Sequence, residues 1–234
     1  MTTFKHSSWE KHFVLSPQKI SVLAIENKTD LWKCTIELLN QSEGESGAFC
    51  IAKDYSAQSL NKMCIVEANV ATLSINTKKI QTVLIKKCVE NSSSPEFEEQ
   101  LRKISFNLYS FCKSVCQDTG YSIELDEEID VAGLFKLFSL SLKENYKTLL
   151  EKLIEYVNVN TEFFKTKIFI FLFLTKFLPQ TELQVFFEHC RYQDISLVLI
   201  EESFPNVLLG EKIPYYGLII DEDRFEIEKS APLD

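Results

Sequence analysis

Two short apolar runs near the end of the chain, Ile195-Ser196-Leu197-Val198-Leu199-Ile200 and Tyr215-Tyr216-Gly217-Leu218-Ile219-Ile220, are each followed directly by acids. Runs this short, rich in β-branched residues and without alternation predict strands covered on both faces rather than buried helices. An earlier run, Ile20-Ser21-Val22-Leu23-Ala24-Ile25, stops in the same way at Glu26. Three strands ending at one carboxylate-rich edge predict an α/β sheet.

The 234 residues are 45% hydrophobic with only six prolines and six glycines, enough for one sizeable core or two modest ones. A formal charge of -9 opposes nonspecific binding to nucleic acid or acidic membrane unless basic groups are concentrated locally. The seven cysteines, at 34, 50, 64, 88, 112, 116 and 190, are an odd number without a Cys-x-x-Cys pair. Cys112 and Cys116 share a helix face, so structural thiols in a reducing, cytoplasmic setting are expected. The amino terminus, with polar residues and Glu10, does not read as a signal peptide. The greasy stretch Ile168 to Leu174 falls well short of the roughly 20 residues a bilayer span needs. It predicts a central strand, and no membrane partner is expected.

Further strands are predicted near Phe13 to Leu15 and at Ile20 to Ile25, joined through Ser16-Pro17 as a hairpin at a sheet edge. A helix over Lys28 to Leu39 precedes short strands at 48–53 and 62–66. Ile80, Leu84 and Cys88 recur every four residues in a helix that stops at Asn91-Ser92-Ser93-Ser94-Pro95. Leu101, Ile104, Leu108, Phe111 and Val115 then mark a long amphipathic helix. A second helical block over Ile129 to Leu140 and a third from Tyr146 through Val157 complete an antiparallel helical domain. The division is therefore an α/β head over 1–94, an inserted helical domain over 95–162, and the rest of the head over 163–234, with a strand at 167–174 and a helix at 181–190.

A strand, loop and helix is the setting for a phosphate-binding loop, but Ile25 is followed by Glu26-Asn27-Lys28-Thr29-Asp30 with no glycine-rich bend. Glycine is needed there so that successive amides turn inward around phosphate oxygens. Lys28-Thr29 reads as a helix start, and a nucleotide-hydrolysing enzyme is disfavoured. Glu201, Glu202 and Asp221 read first as solvated strand ends. His6, His12 and His189 lie too far apart for metal-ligand spacing.

Two clusters stand out from the average. Glu124, Asp126, Glu127, Glu128 and Asp130 crowd five carboxylates ahead of a helix, where they can cap it through the peptide dipole or take up a hard cation that relieves their repulsion. Lys136, Lys143, Lys147 and Lys152 are locally basic, with Lys143 and Lys147 sharing a helix-like face at i, i+4. They are either a phosphate-facing stripe or solvated lysines paired with Glu144, Glu151 and Glu155. Few aromatics interleave them, so contact with a duplex backbone is favoured over stacking on single strands.

Several segments carry a family resemblance: Ile20 to Glu26, Ile123-Glu124-Leu125-Asp126-Glu127-Glu128-Ile129, Leu134-Phe135-Lys136-Leu137, and Leu218-Ile219-Ile220-Asp221-Glu222-Asp223-Arg224-Phe225-Glu226-Ile227. With them the chain resembles the small spacer-acquisition protein of type II-A CRISPR systems, a family that forms a tetrameric ring around double-stranded DNA ends. The resemblance implies an α/β head like a P-loop NTPase but without a functional Walker A loop, and an inserted α-helical domain that assembles with its copies around a basic channel. It implies a non-enzymatic, calcium-dependent, sequence-independent binder of double-stranded DNA ends that works with the CRISPR integrase and effector proteins. Glu124, Asp126, Glu127 and Glu128 are the implied calcium ligands, and Lys136, Lys143, Lys147 and Lys152 the implied DNA contacts. The alternative is a non-catalytic protein adapter in a nucleic-acid-processing complex, with the acidic cluster purely structural.

Overall fold

The structure, a computed structural model, describes residues 1–126, 128–209 and 213–231. In chain order the elements are β1 (Thr2–His6), β2 (Phe13–Leu15), β3 (Ile20–Ile25), α1 (Lys28–Glu43), β4 (Phe49–Lys53), β5 (Ser56–Gln58), α2 (Leu60–Met63), β6 (Ile65–Glu67) and α3 (Lys78–Ser92). There follow α4 (Pro95–Gln117), α5 (Val131–Leu137), α6 (Leu149–Phe164), β7 (Ile168–Leu172), α7 (Gln180–Tyr192), β8 (Ser196–Glu201), β9 (Tyr215–Ile220) and β10 (Glu226–Ala231). They divide into two compact units, Met1–Ser74 with Asn145–Asp234, and Ile75–Glu144.

The first unit is built on a six-stranded sheet of order β10-β9-β3-β8-β7-β6. All neighbours are parallel except β10, which returns antiparallel to β9. Every residue of β3, β7 and β8 is buried, as their unbroken apolar runs require of strands covered on both faces. The register sets Ile25 beside Ile220 and Ala24 beside Glu201, so the three acid-terminated strands do finish at one edge.

A smaller antiparallel sheet, β2-β1-β4-β5, packs on the same unit. Phe4 stacks on Phe49 at 5.4 Å, and Phe13 meets Tyr216 of β9 edge-on at 5.5 Å. This corrects the expected hairpin: β2 pairs with β1, while β3 is an interior strand between β8 and β9. The Ser16-Pro17 turn leaves only an isolated bridge from Ser16 to Lys19. The reason lies in burial, since β2 alternates and needs one covered face whereas β3 needs two. The strand expected over 62–66 starts only at Ile65, because residues 60–63 close one helical turn.

The helical unit holds α3, α4 and α5 and spans Ile75–Glu144 in place of the expected 95–162. Its two ends are fastened together. Asn76 accepts from the Leu142 amide at 2.8 Å and donates to the Leu142 carbonyl at 3.0 Å, while Glu144 accepts from the Ile75 amide at 3.1 Å. The helix α6, expected as a member of this unit, belongs to the α/β unit instead. It starts at Leu149 rather than Tyr146 because the Thr148 hydroxyl accepts from the Glu151 amide at 3.1 Å and caps it. Its apolar face, Leu153, Tyr156, Val157 and Val159, is buried in the α/β unit's core.

Tyr156 donates its hydroxyl to Glu67 at the end of β6. Burial pushes the Glu67 carboxyl above the usual range, with the Tyr156 bond opposing. A carboxyl that holds its proton more tightly when folded contributes stability below its unfolded pKa, and that contribution is lost as pH rises through the folded value. Replacing Glu67 by Gln removes this dependence while keeping an acceptor for Tyr156. The melting temperature of Glu67→Gln, measured against the parent from pH 4.5 to 7.5, is expected to shift in the variant's favour as pH rises. A constant difference across that range would contradict the assignment.

Candidate functional site

In open α/β sheets, ligands bind outside the carboxyl ends of the parallel strands, and here that edge is occupied by the chain's own groups. After β3, Asn27 caps α1, its side-chain oxygen accepting from the Thr29 and Asp30 amides at 3.1 and 3.2 Å. Asp30 places a carboxylate in the first turn and takes a two-point bond from Arg224 at 2.7 and 3.3 Å. The amides and positive dipole end that would receive a phosphate therefore already face acceptors. Neighbouring acids are likewise engaged. Glu201 is buried and accepts from the Thr175 amide at 3.0 Å, burial raising its pKa above the ordinary value. Glu202 pairs with Lys176 at 2.8 Å, and Asp221 accepts from the Phe225 amide at 2.7 Å.

Beside this edge lies a polar hollow of about 400 Å³ lined by His6, Trp9, Lys33, Glu37, Arg224 and Glu226 among others. His6 is buried there with both ring nitrogens satisfied, by Ser8 Oγ at 2.6 Å and Glu37 at 3.1 Å. The described cysteines are all free thiols. Burial pushes Cys34 up to about 11, assisted by Glu37 and Asp30, and Cys64 up to about 12, so both stay protonated and unreactive at neutral pH.

The four lysines singled out from the sequence do not share one element. Lys136 is exposed in the last turn of α5, a favourable place for a cation. Lys143 is exposed in the irregular segment that follows. Lys147 is exposed just ahead of α6, its amide held by Glu151 at 2.7 Å. Lys152 is half-buried on α6, its Nζ reaching the Ala71 carbonyl at 3.3 Å. The expected helical spacing of Lys143 and Lys147 is therefore absent, since residues 141–148 are not helical. Lys136 and Lys143 belong to the helical unit, and Lys147 and Lys152 to the other.

Glu124, Asp126 and Glu128 are exposed in the irregular stretch before α5, while Glu127 lies outside the described residues. Among the described residues, no three His, Cys, Asp or Glu side chains gather in a group able to hold a metal. Asp130 stands at the N-cap of α5 without a side-chain capping bond. Among the described residues no helix is long and apolar enough to cross a membrane.

Two surfaces escaped the sequence-derived residue set. The helix α4 has no buried residue, and Ile104, Phe106, Phe111 and Val115 are all exposed. Phe97, Leu101, Ile104, Leu134 and Phe135 line an apolar groove of about 450 Å³ among α3, α4 and α5. The other surface is the lysine-rich exterior of α3, which could have been found by balancing charge helix by helix rather than over the whole chain.

Comparison with known proteins adds to this geometry. A family model described as CRISPR-associated protein (Cas_Csn2) matches residues 41–224. No curated protein matches the sequence. The crystal structure of Stu0660 of Streptococcus thermophilus superimposes with a TM-score of 0.60 at 10% identity, over 92% of this chain and 74% of that one, a likeness of fold. A bacterial Atm1-family ABC exporter with ATP bound gives 0.44 at 13% identity over 98% of this chain and 38% of that one. The ATP-binding cassette MJ0796 bound to ADP and Pi gives 0.43 at 9% identity over 100% and 99%, and at such scores neither adds to the fold assignment.

The occupied first turn of α1 makes two expectations. Magnesium ATP at millimolar concentration is expected to leave the melting temperature unchanged, and a stabilisation that grows with nucleotide concentration would contradict the self-capped site. Asn27→Ala, which strips the cap from two amides, is expected to lower stability by about 1 kcal/mol in denaturant titration.

Proposed function

Because this chain belongs to the CRISPR-associated Cas_Csn2 family, we propose that it is a non-catalytic subunit that binds double-stranded DNA ends, without sequence preference, during CRISPR spacer acquisition. The observation that carries this reading is the family match itself, which takes in the whole helical unit and strands β6 to β9. The head is then a P-loop-like fold that has lost its nucleotide loop, consistent with the glycine-free Glu26-Asn27-Lys28-Thr29 and its self-capped helix. Binding in place of turnover is what such a head can still support.

Contact with DNA falls to ammonium groups, and Lys136, Lys143 and Lys147 present exposed ones, with Lys152 partly engaged. Four copies in a ring would place these lysines around one duplex, so that local geometry outweighs a net charge of -9 per chain. The uncovered apolar row of α4 supports self-assembly as a homotetramer, since monomeric proteins seldom leave such a row open. Glu124, Asp126, Glu127 and Glu128 are the hard oxygen donors that calcium would take. As described, Glu124, Asp126 and Glu128 do not gather into a site, so calcium enters as a regulator to be tested and no step of DNA binding depends on it here. The bound end would pass to the CRISPR integrase and effector proteins in the cytoplasm. A protein adapter is the competing reading, favoured by the same apolar face of α4, and duplex binding separates the two.

Light scattering is expected to give a tetramer at micromolar concentration, and a monomer with calcium present would reject the ring. A linear duplex is expected to bind at least about tenfold more tightly than the same DNA sealed into a circle, a difference of about 1.4 kcal/mol. Equal affinity would reject end threading. Replacing Lys136, Lys143, Lys147 and Lys152 together by Gln is expected to weaken all duplexes alike and flatten the salt dependence, by about 0.9 in log-log slope for each lost phosphate contact. Calcium at a hundredfold excess over its Kd is expected to stabilise the parent chain by about 2.7 kcal/mol. Changing Glu124, Asp126, Glu127 and Glu128 to amides should abolish that shift, and a shift that survives would sink the metal assignment.

A further inference from the structure

We propose that the exterior of α3, through Lys78, Lys79 and Lys86, is a second phosphate-contacting surface for duplex DNA. The inference rests on the DNA-binding reading above and extends it to a helix outside that residue set. Helix α3 carries Lys78, Lys79, Lys86 and Lys87 against the single acid Glu90, in a chain that is acidic overall. Lys78, Thr82 and Lys86 follow one another at i, i+4 and i+8 with Lys79 alongside, while Ile80 is buried and Leu84 and Cys88 are half-buried. The lysines thus occupy an outer strip.

The fold gives Lys78, Lys79 and Lys86 little use of their own. On α4, Arg102 pairs with Glu98 at 3.0 Å and Lys103 with Glu99 at 2.7 Å, so these two are matched along the helix, while Lys113 lies over the Tyr109 ring at 5.6 Å. On α3, Lys86 makes one long contact with Glu90, at 3.8 Å between two largely exposed side chains, of a kind that contributes little. Lys78 and Lys79 also stand in a first turn without an acid, where the helix dipole disfavours cations. An electrostatic penalty at Lys78 and Lys79 that no ion pair among the described residues offsets points to an anionic partner.

Charge complementarity selects the partner. Lys78 and Lys86 are separated by about 12 Å along the helix axis, a length over which one DNA strand presents about three or four phosphates. Lysines act as point charges without a planar fork, which suits backbone contact and reads no bases. The competing occupant, the acidic 124–130 stretch of a second copy, would make the strip a contact between chains.

The experiment compares the parent chain with a Lys78→Gln, Lys79→Gln, Lys86→Gln variant. Fluorescence anisotropy on two linear duplexes of unrelated sequence, across a salt series, is paired with light scattering and a melting curve. The expected result is a loss of at least about tenfold in affinity for both duplexes and a log-log salt slope shallower by about 3, with mass and melting temperature unchanged. Unchanged affinity and slope in a variant whose parent binds DNA would overturn the α3 surface alone, and weakening by the Lys136, Lys143, Lys147 and Lys152 set would leave the wider reading standing. A variant that loses its oligomeric mass assigns the strip to chain assembly and also overturns the proposal. A parent chain with no salt-dependent duplex binding would remove the DNA reading itself.

Discussion

Strand β3 has no face to spare. All six of its residues are buried, and it is flanked on both sides by parallel partners whose own residues are almost wholly buried. Such a strand needs cover above and below, and its neighbours must enter from the same direction, which requires crossovers long enough to hold helices. The arrangement fixes where α1 begins, at the edge where β3, β8 and β9 finish together. Once that edge is set, Asn27, Asp30 and Arg224 convert a place suited to a phosphate into a closed hydrogen-bonded corner. What opposes a phosphate at this edge is therefore its side chains rather than any defect in the sheet.

The interior of the α/β unit was legible in the sequence because burial on two faces leaves an unmistakable record, an apolar run without alternation. Helices α1, α3, α4 and α7 were legible from their spacing and from the breakers that end them. The pairing of β2 was not, because a three-residue strand gives too little pattern to choose a partner, and its true neighbour β1 carries the mixed sequence Thr2-Thr3-Phe4-Lys5-His6. The allegiance of α6 was equally hidden. An amphipathic helix announces that it has a face to bury, but Leu153 and Val157 do not say whether helices or a sheet will bury it.

The candidate site was less legible still, for a reason of the same kind. A run of lysines in sequence is a surface only if one element displays it, and Lys143 and Lys147 have no common helix face because residues 141–148 are irregular and α6 starts only at Leu149. Charge balance within single helices carries more information. In α4 Arg102 and Lys103 have acids one turn away, whereas in α3 Lys78 and Lys79 have none, a contrast that neither the net charge nor the densest lysine cluster reveals.

The fastening of Asn76 to Leu142 and of Ile75 to Glu144 has a meaning beyond local stability. It joins the points where the chain enters and leaves the helical unit, so the ends of a seventy-residue excursion are held as closely as those of a tight turn. The entropy of closing a loop grows only logarithmically with its length, and a junction that closes locally shields the sheet from whatever lies beyond it. The helical unit can therefore lengthen, shorten or change its surface over generations while the register of β6 and β7 stays as it is.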